Sequence, residues 1–254
     1  DFEGTSHSFT LNSTDLNSTA TGFNLWLVNN AYTGGAISVC GLPANPQTTP
    51  AQPSGITNNP SSKYMHISST SGNTAGVGNC HFAASDGGLF CVPDENYFTK
   101  MGSNINTSGY DSVEVSFYYL CAGSPTMFGE MYYSTDGGTS WTLAVTNLTG
   151  QSSWMQRKVT LPAFLNQSSF RIGFRFVNNF ALSAADPALA VDQIQITGFS
   201  NNNIAAPTFS GTAYCPGDNL AIAYTSNGNY NGGNIFTAEL SDAAGSFAAP
   251  TTIG

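Results

Sequence analysis

Three stretches of the chain alternate apolar and polar residues with a period of two. "DSVEVSFYYL" sets Val113, Val115, Phe117 and Tyr119 on one face and Ser112, Glu114, Ser116 and Tyr118 on the other. "SFRIGFRFVNN" places Phe170, Ile172, Phe174 and Phe176 opposite Arg171, Gly173 and Arg175. "LAVDQIQITGF" has Val191 opposite Asp192, then Ile194 and Ile196 alternating with Gln193 and Gln195. Successive side chains of a strand point to opposite faces, so each run predicts a half-buried strand of an antiparallel sheet. "RKVTLPAF" and "KYMHISS" read as further strands. Each inward Phe or Ile contributes about 1.5 to 3 kcal/mol on burial, so the three runs carry much of the core. Gly or Pro interrupts nearly every window, and no segment sustains a 3.6-residue apolar period over three turns. The pattern predicts an all-β chain built on an antiparallel β-sandwich.

Two stretches break the alternation. "CGLPANPQTTPAQPSGITNNP", from Cys40 to Pro60, holds five prolines and reads as a long surface excursion. "GNTAGVGNCHFAASDGGLFC" reads as a second loop-rich insertion. Loops of this size on a β-scaffold are where binding is built. Linker-like composition in "GFSNNNIAAPTFSG" sets a domain over 1–200, a linker over 201–207 and a second unit over 208–254. In that unit "NLAIAYTS" and "NIFTAELSD" are β-like, with turns at Pro216-Gly217-Asp218 and Asn231-Gly232-Gly233. Its roughly 47 residues fall short of the ~100 of an immunoglobulin-like sandwich, so it reads as the first part of one.

Composition narrows the function classes. Only 8% of the 254 residues are charged, while 12% are aromatic, which excludes a disordered chain. A net charge of −9 with six Lys and Arg leaves no basic stripe for nucleic acid and suits divalent cations. No apolar run approaches the roughly 20 residues needed to span a bilayer. The low lysine content, the cysteines and a start at Asp1-Phe2-Glu3 lead us to expect a mature, secreted, extracellular protein. Cys40, Cys80, Cys91 and Cys121 form an even set without a C-x-x-C pair, predicting two disulfides in one of three pairings. Cys215 is expected to find its partner beyond residue 254.

Candidate chemistry is sparse. In "MYYSTDGGTSW" the pattern Ser134-x-Asp136-x-Gly138-x-Ser140-Trp141 joins two strand-prone runs. The Asp136 carboxylate can accept backbone N–H groups, the glycines take positive φ, and Trp141 can fold over the turn. The stretch resembles the Asp-box hairpin of sialidases and of several non-enzymatic surface proteins, and it reads as a turn. Glycoside hydrolysis needs two carboxyls roughly 5 to 9.5 Å apart across a cleft. The densest acidic pair, Asp94-Glu95, is adjacent in a strand and so points two ways. No G-x-S-x-G occurs, and His7, His66 and His81 read as structural, so no catalytic residue is assigned. For stacking on sugar rings the candidates are Trp26, Trp154, Tyr97 and Phe128, with burial in the core as the competing fate.

The order of pieces "DFEG", "NLWLVNN", "YMHIS", "GYDSVEVSFYY", "GEMYYSTDGGTSW", "FRIGFRF" and "AVDQIQITG" resembles MAM-like and cleaved-adhesin jelly-roll domains of bacterial surface proteins. Residues 208–254, with "YCPGDNLAIAY" and "GNIFTAELSDAAGSF", resemble the first half of an Ig-like module found in large exported proteins of Bacteroidota. The resemblance implies a jelly roll carried to the cell surface by the type IX export machinery. It also implies calcium held between the first and last strands, at Glu3 and Asp192. Carboxylate oxygens suit Ca²⁺, which takes six to eight oxygen ligands in flexible geometry. The family often shows a second acid where this chain has Gln193. The function implied is a non-catalytic adhesin or recognition module for a cell-surface or extracellular glycan or protein. Its alternatives are an accessory domain of a secreted hydrolase and a structural subunit of a surface filament or layer.

Overall fold

In the computed structural model the described residues are all except 40–41, 82–93, 180–185, 202, 210, 212–214, 216–218, 229, 231–232 and 254. Twelve described strands make the first unit, Asp1–Phe199. They are β1 (Phe9–Ser13), β2 (Asn24–Asn29), β3 (Ile37–Val39), β4 (Leu42–Ala44), β5 (Tyr64–Ser69) and β6 (Asp94–Met101). The others are β7 (Ser112–Cys121), β8 (Met127–Ser134), β9 (Thr142–Leu148), β10 (Gln151–Thr160), β11 (Arg171–Asn179) and β12 (Ala190–Phe199). The three alternating runs of the sequence are β7, β11 and β12.

Two five-stranded antiparallel sheets face each other. Sheet A runs β1-β6-β11-β8-β9 and sheet B runs β10-β7-β12-β5-β2. Their inner faces meet where Phe174 of β11 sets its ring edge-on to Phe117 of β7, centroids 5.0 Å apart. Phe170, Ile172 and Phe176 are fully buried with them, as are Val115 and Val191. The even-numbered residues of β11 therefore point into the sandwich, as their apolar character requires. This is the predicted jelly-roll-like β-sandwich.

Sheet B is covered on its outer face as well. The described part of the proline-rich stretch, expected at the surface, packs down on that face and buries Thr49, Gln52 and Ile56 there. The Trp154 indole N–H donates to the Pro50 carbonyl at 2.9 Å, and the Tyr64 ring packs edge-on to Trp154 and tilted against Tyr32. Pro43 lies in the short ladder of β3 with β4, and the prolines beyond it keep the rest of the segment out of the two main sheets while leaving its apolar and amide groups free to cover one.

The two-disulfide expectation fails at Cys80 and Cys121. Both are buried thiols, while Cys40 and Cys91 lie outside the described residues. The Cys80 Sγ donates to the Ala188 carbonyl, 3.1 Å away, and Cys121 closes β7 inside the core. Each fills space as a small apolar side chain. Burial pushes the Cys121 thiol up to about 12 and raises that of Cys80.

The second unit, Ser200–Gly254, holds six described two-residue strands. β13 (Asn203–Ile204) pairs with β16 (Ser226–Asn227), β14 (Thr208–Phe209) with β15 (Ile222–Ala223), and β17 (Glu239–Leu240) with β18 (Thr251–Thr252). The expected turn at Pro216-Gly217-Asp218, and Asn231-Gly232 of the other, lie outside the described residues. No helix among the described residues is long and apolar enough to cross a membrane.

Candidate functional site

The predicted hairpin forms, and each residue of its motif has a place in it. The Ser134 Oγ donates to Asp136 Oδ1 at 2.7 Å and accepts the Gly138 N–H at 2.8 Å. The same Asp136 oxygen accepts the N–H groups of Thr139 and Ser140, both at 3.0 Å. These donors, with the Ser140 hydroxyl foremost, hold the exposed Asp136 carboxyl well below the usual carboxylate range. Gly137 and Gly138 have φ of 74° and 92°, a region closed to most side chains. All the Asp136 contacts stay within the turn, which makes it a structural residue.

Trp141, leaving that turn, reaches across sheet A. Its ring packs edge-on over Phe98 of β6, centroids 5.0 Å apart, and Phe98 packs edge-on to Tyr132 of β8 at 6.0 Å. Register places Phe98 beside Arg175, Glu130 beside Arg175, and Tyr132 beside Gly173, all on the outer face of the sheet. Gly173 is required there, because a Cβ would run into the Phe98 ring and lie 2.8 Å from the Thr99 carbonyl. The result is an aromatic tier on an outer sheet face, apart from the core between the sheets, in which the half-buried Trp141 covers Phe98, at 0% exposure, and Tyr132, at 8%.

Polar groups frame this tier. The Trp141 indole N–H donates to Asp15 Oδ1 at 3.0 Å, and Lys100 Nζ donates to Asp15 Oδ2 at 2.7 Å. Hydrogen bonds from Lys100, Ser13 and Trp141 hold Asp15 below its ordinary value against the opposing cost of burial, which is the largest single influence on it. Arg175 donates to Glu130 Oε2 at 3.2 Å and to Asn96 Oδ1 at 2.7 Å, and the Tyr132 hydroxyl donates to the same Glu130 oxygen at 2.9 Å.

Of the stacking candidates drawn from sequence, only Phe128 lies on this face, half-buried opposite Val177. Trp26 and Tyr97 belong to the core, at 0% and 1% exposure, with the Trp26 indole donating to the Tyr97 carbonyl at 3.1 Å. Trp154, at 9%, clamps the proline-rich segment instead. Sequence reasoning missed Phe98 and Tyr132, and it confined Trp141 to its turn. The available signal was parity: Phe98 pairs with Arg175 and Tyr132 with Gly173, on the polar side of β11.

A second constellation sits at the corner where β12 passes the N-terminal segment. Between Asp192 and Gln195 the register with β7 slips, and Gln193 takes φ +47°. Such a bulge re-aims side chains and is a recurrent device beside sites. It leaves Asp192 on the outer face of sheet B, opposite Tyr118 and fully buried beneath the proline-rich segment. Asp192 Oδ2 accepts Gln52 Nε2 at 2.7 Å and the Ser62 Oγ at 3.3 Å, while Oδ1 accepts the Gln193 N–H at 2.6 Å. Glu3 accepts the Lys63 N–H at 2.8 Å and Asn58 Nδ2 at 3.3 Å.

The two predicted cation ligands thus converge on one segment, 52–63, and lie close enough to repel. Burial, and to a lesser degree the Glu3 charge, push the Asp192 carboxyl up to about 6, against the hydrogen bonds from Gln193 and Ser62 and the N-terminal ammonium. Tyr32 is raised by burial and then by both carboxylates. Among the described residues no ion pair reaches Asp192. Among the described residues no group of three or more His, Cys, Asp or Glu side chains could hold a metal ion, so a divalent ion here would have only these two carboxylates and neighbouring amides as ligands. The Gln52 and Asn58 amides, turned over, offer oxygen in place of NH₂.

The histidines are accounted for structurally. His66 is fully buried, its Nε2 2.8 Å from Asn29 Oδ1, and burial lowers it to about 4, so it is neutral at pH 7. His81 pairs through Nδ1 with Asp186, and His7 packs edge-on to Phe2. Glu95 points inward from β6 and accepts Asn24 Nδ2 at 2.7 Å and the Tyr97 hydroxyl at 3.2 Å. Two cavities, of about 390 Å³ in the second unit and about 210 Å³ at one end of the sandwich, are lined by neither a histidine nor a carboxylate pair.

No family model matches the chain, and no curated protein matches it. Solved structures that it resembles include the CBM22-2 xylan-binding domain of Paenibacillus barcinonensis Xyn10C, at 11% identity and a TM-score of 0.26. That match covers 68% of this chain and 91% of the other. A fragment comprising domains C and D of another protein matches at 14% identity and a TM-score of 0.25, covering 74% and 97%. At these scores neither likeness places a site on this chain.

Proposed function

We propose that the first unit is a non-catalytic recognition module that binds glycan on the outer face of sheet A. We place it in a secreted cell-surface adhesin of the MAM-like type, exported by the type IX route and followed by an Ig-like module. The observation that supports glycan recognition is the half-buried Trp141 ring, seated on the buried Phe98 and Tyr132 of the sheet and framed by Asp15, Lys100, Arg175 and Glu130. Sugars offer apolar ring faces to aromatics and hydroxyls to fixed polar groups, and this face supplies both. The charged groups here form ordered hydrogen-bonded pairs, which suits positioning a ligand more than moving protons.

In the same reading Glu3 and Asp192 hold a calcium ion. The ion would neutralise the buried Asp192 and tie the N-terminal segment to the last strand of the sandwich; it has no part in chemistry. The experiment is binding to a panel of immobilised polysaccharides by the intact chain and by Trp141→Ala. Retention of at least one polysaccharide, lost in the variant with the melting temperature preserved, is the expected result. Equal retention by the variant moves recognition elsewhere, and no retention by the intact chain rejects the reading.

A further inference from the structure

We propose that the ligand of this face is a polyuronate, a polysaccharide with repeated carboxylates, and that Arg171 receives one carboxylate beside the Trp141 ring. The inference rests on the glycan reading above and gives it a substrate class. Three of the chain's six Lys and Arg residues, Lys100, Arg171 and Arg175, share the outer face of sheet A, although the chain as a whole carries −9. Lys100 and Arg175 are already matched by Asp15 and Glu130. Arg171 is not. Its Nε donates to Asn104 Oδ1 at 2.5 Å and its Nη1 to the Met101 carbonyl at 3.4 Å, both neutral acceptors, and among the described residues no carboxylate pairs with it.

Its place beside the aromatic tier is fixed by Gly138. A Cβ at that position would lie 3.4 Å from Arg171 Nη1 and 3.5 Å from Trp141 Cζ2, so guanidinium and indole flank one spot. A planar fork next to a flat ring suits a sugar that stacks on the ring and presents a carboxylate to the fork. Arg171 and Arg175 lie four residues apart on one side of β11, ~13 Å by strand rise, with Lys100 opposite Gly173 between them. Because Asp15 and Glu130 already occupy Lys100 and Arg175, Arg171 is the cation of this row left to receive a carboxylate, and a polymer that repeats one on every sugar offers it in any register.

The test measures affinity of the intact chain, in chelator so that calcium plays no part, for polygalacturonate and for the same polymer after carboxyl reduction. Arg171→Gln is compared with Lys158→Gln, which removes a cation that pairs with Glu114 away from this face. Expected is an at least tenfold preference for the carboxylated polymer, the scale of a charge-assisted fork, abolished by added salt and by Arg171→Gln alone. Equal affinity for the two polymers, or an Arg171→Gln variant that binds polygalacturonate as tightly as the wild type, overturns the proposal. If in either case a neutral polysaccharide is bound through Trp141, glycan recognition stands without it. If the chain binds no polysaccharide at all, both readings fall together.

Discussion

Asp192→Asn is expected to weaken the protein in acid and strengthen it at neutral pH when calcium is withheld. The carboxyl has an ordinary value of 3.8 and is raised to about 6 in the folded chain, chiefly by burial. Below pH 3.8 it is protonated in both folded and unfolded states and costs nothing. Between about 4 and 6 the unfolded chain releases its proton first, so stability falls as pH rises through that window. Above 6 the full cost stands, about 3 kcal/mol for a displacement of this size. Asparagine keeps the shape without the charge but cannot match every donor around Asp192, which loses one hydrogen bond, about 1 kcal/mol. The variant should therefore be about 1 kcal/mol less stable at pH 4 and about 2 kcal/mol more stable at pH 7.5. For a domain of this length a 3 kcal/mol swing is ~6–12 °C in the Tm difference. Urea unfolding in chelator, followed by tryptophan fluorescence at a series of pH values, reads the crossover directly. A stability difference that stays flat from pH 4 to 7.5 refutes the destabilising burial of this carboxylate. Added calcium should raise the wild-type Tm and leave that of the variant in place, with no calcium effect on either counting against the proposed ion.

Other consequences are local. Gly173→Ala should destabilise the sandwich by about 1–3 kcal/mol in chemical denaturation, because the new methyl meets the Thr99 carbonyl and the Phe98 ring; an unchanged midpoint would deny the close packing of the tier. Cys80 and Cys121 should resist a maleimide in the folded protein and react on unfolding, since both thiols are buried and held protonated. Rapid labelling of either, followed by mass spectrometry, would contradict their placement.

How much of this was legible in the sequence depends on how local the signal is. The strands β7 and β11 show themselves through side-chain parity, which is a property of one segment. The Asp136 turn is nearly as local: the carboxylate's hydrogen bonds all lie inside residues 134–140, and the Gly137 N–H reaches out to the Ser169 carbonyl at 3.0 Å. Even the bulge in β12 is written there, because Val191 and Ile194 fall on opposite parities and only an extra residue puts both on the inner side. What periodicity cannot give is the third dimension. Nothing near Trp154 in the chain announces the Pro50 carbonyl, and the burial of Gln52 against Asp192 joins residues 140 positions apart. For the same reason Trp26 and Tyr97 were plausible platforms until the register put them between the sheets. Glu3 and Asp192 both bond to the segment 52–63 that sequence reading left at the surface.

The claim of glycan recognition on sheet A is tested most directly by the indole N–H resonances of the three tryptophans, Trp26, Trp141 and Trp154. The protein is titrated with the polysaccharide that it retains best while these signals are followed by nuclear magnetic resonance. The Trp141 signal should shift progressively and saturate, while those of Trp26, in the core, and Trp154, beneath the proline-rich segment, hold still. Movement of Trp154 or Trp26 with a silent Trp141 would place the ligand elsewhere and contradict the account.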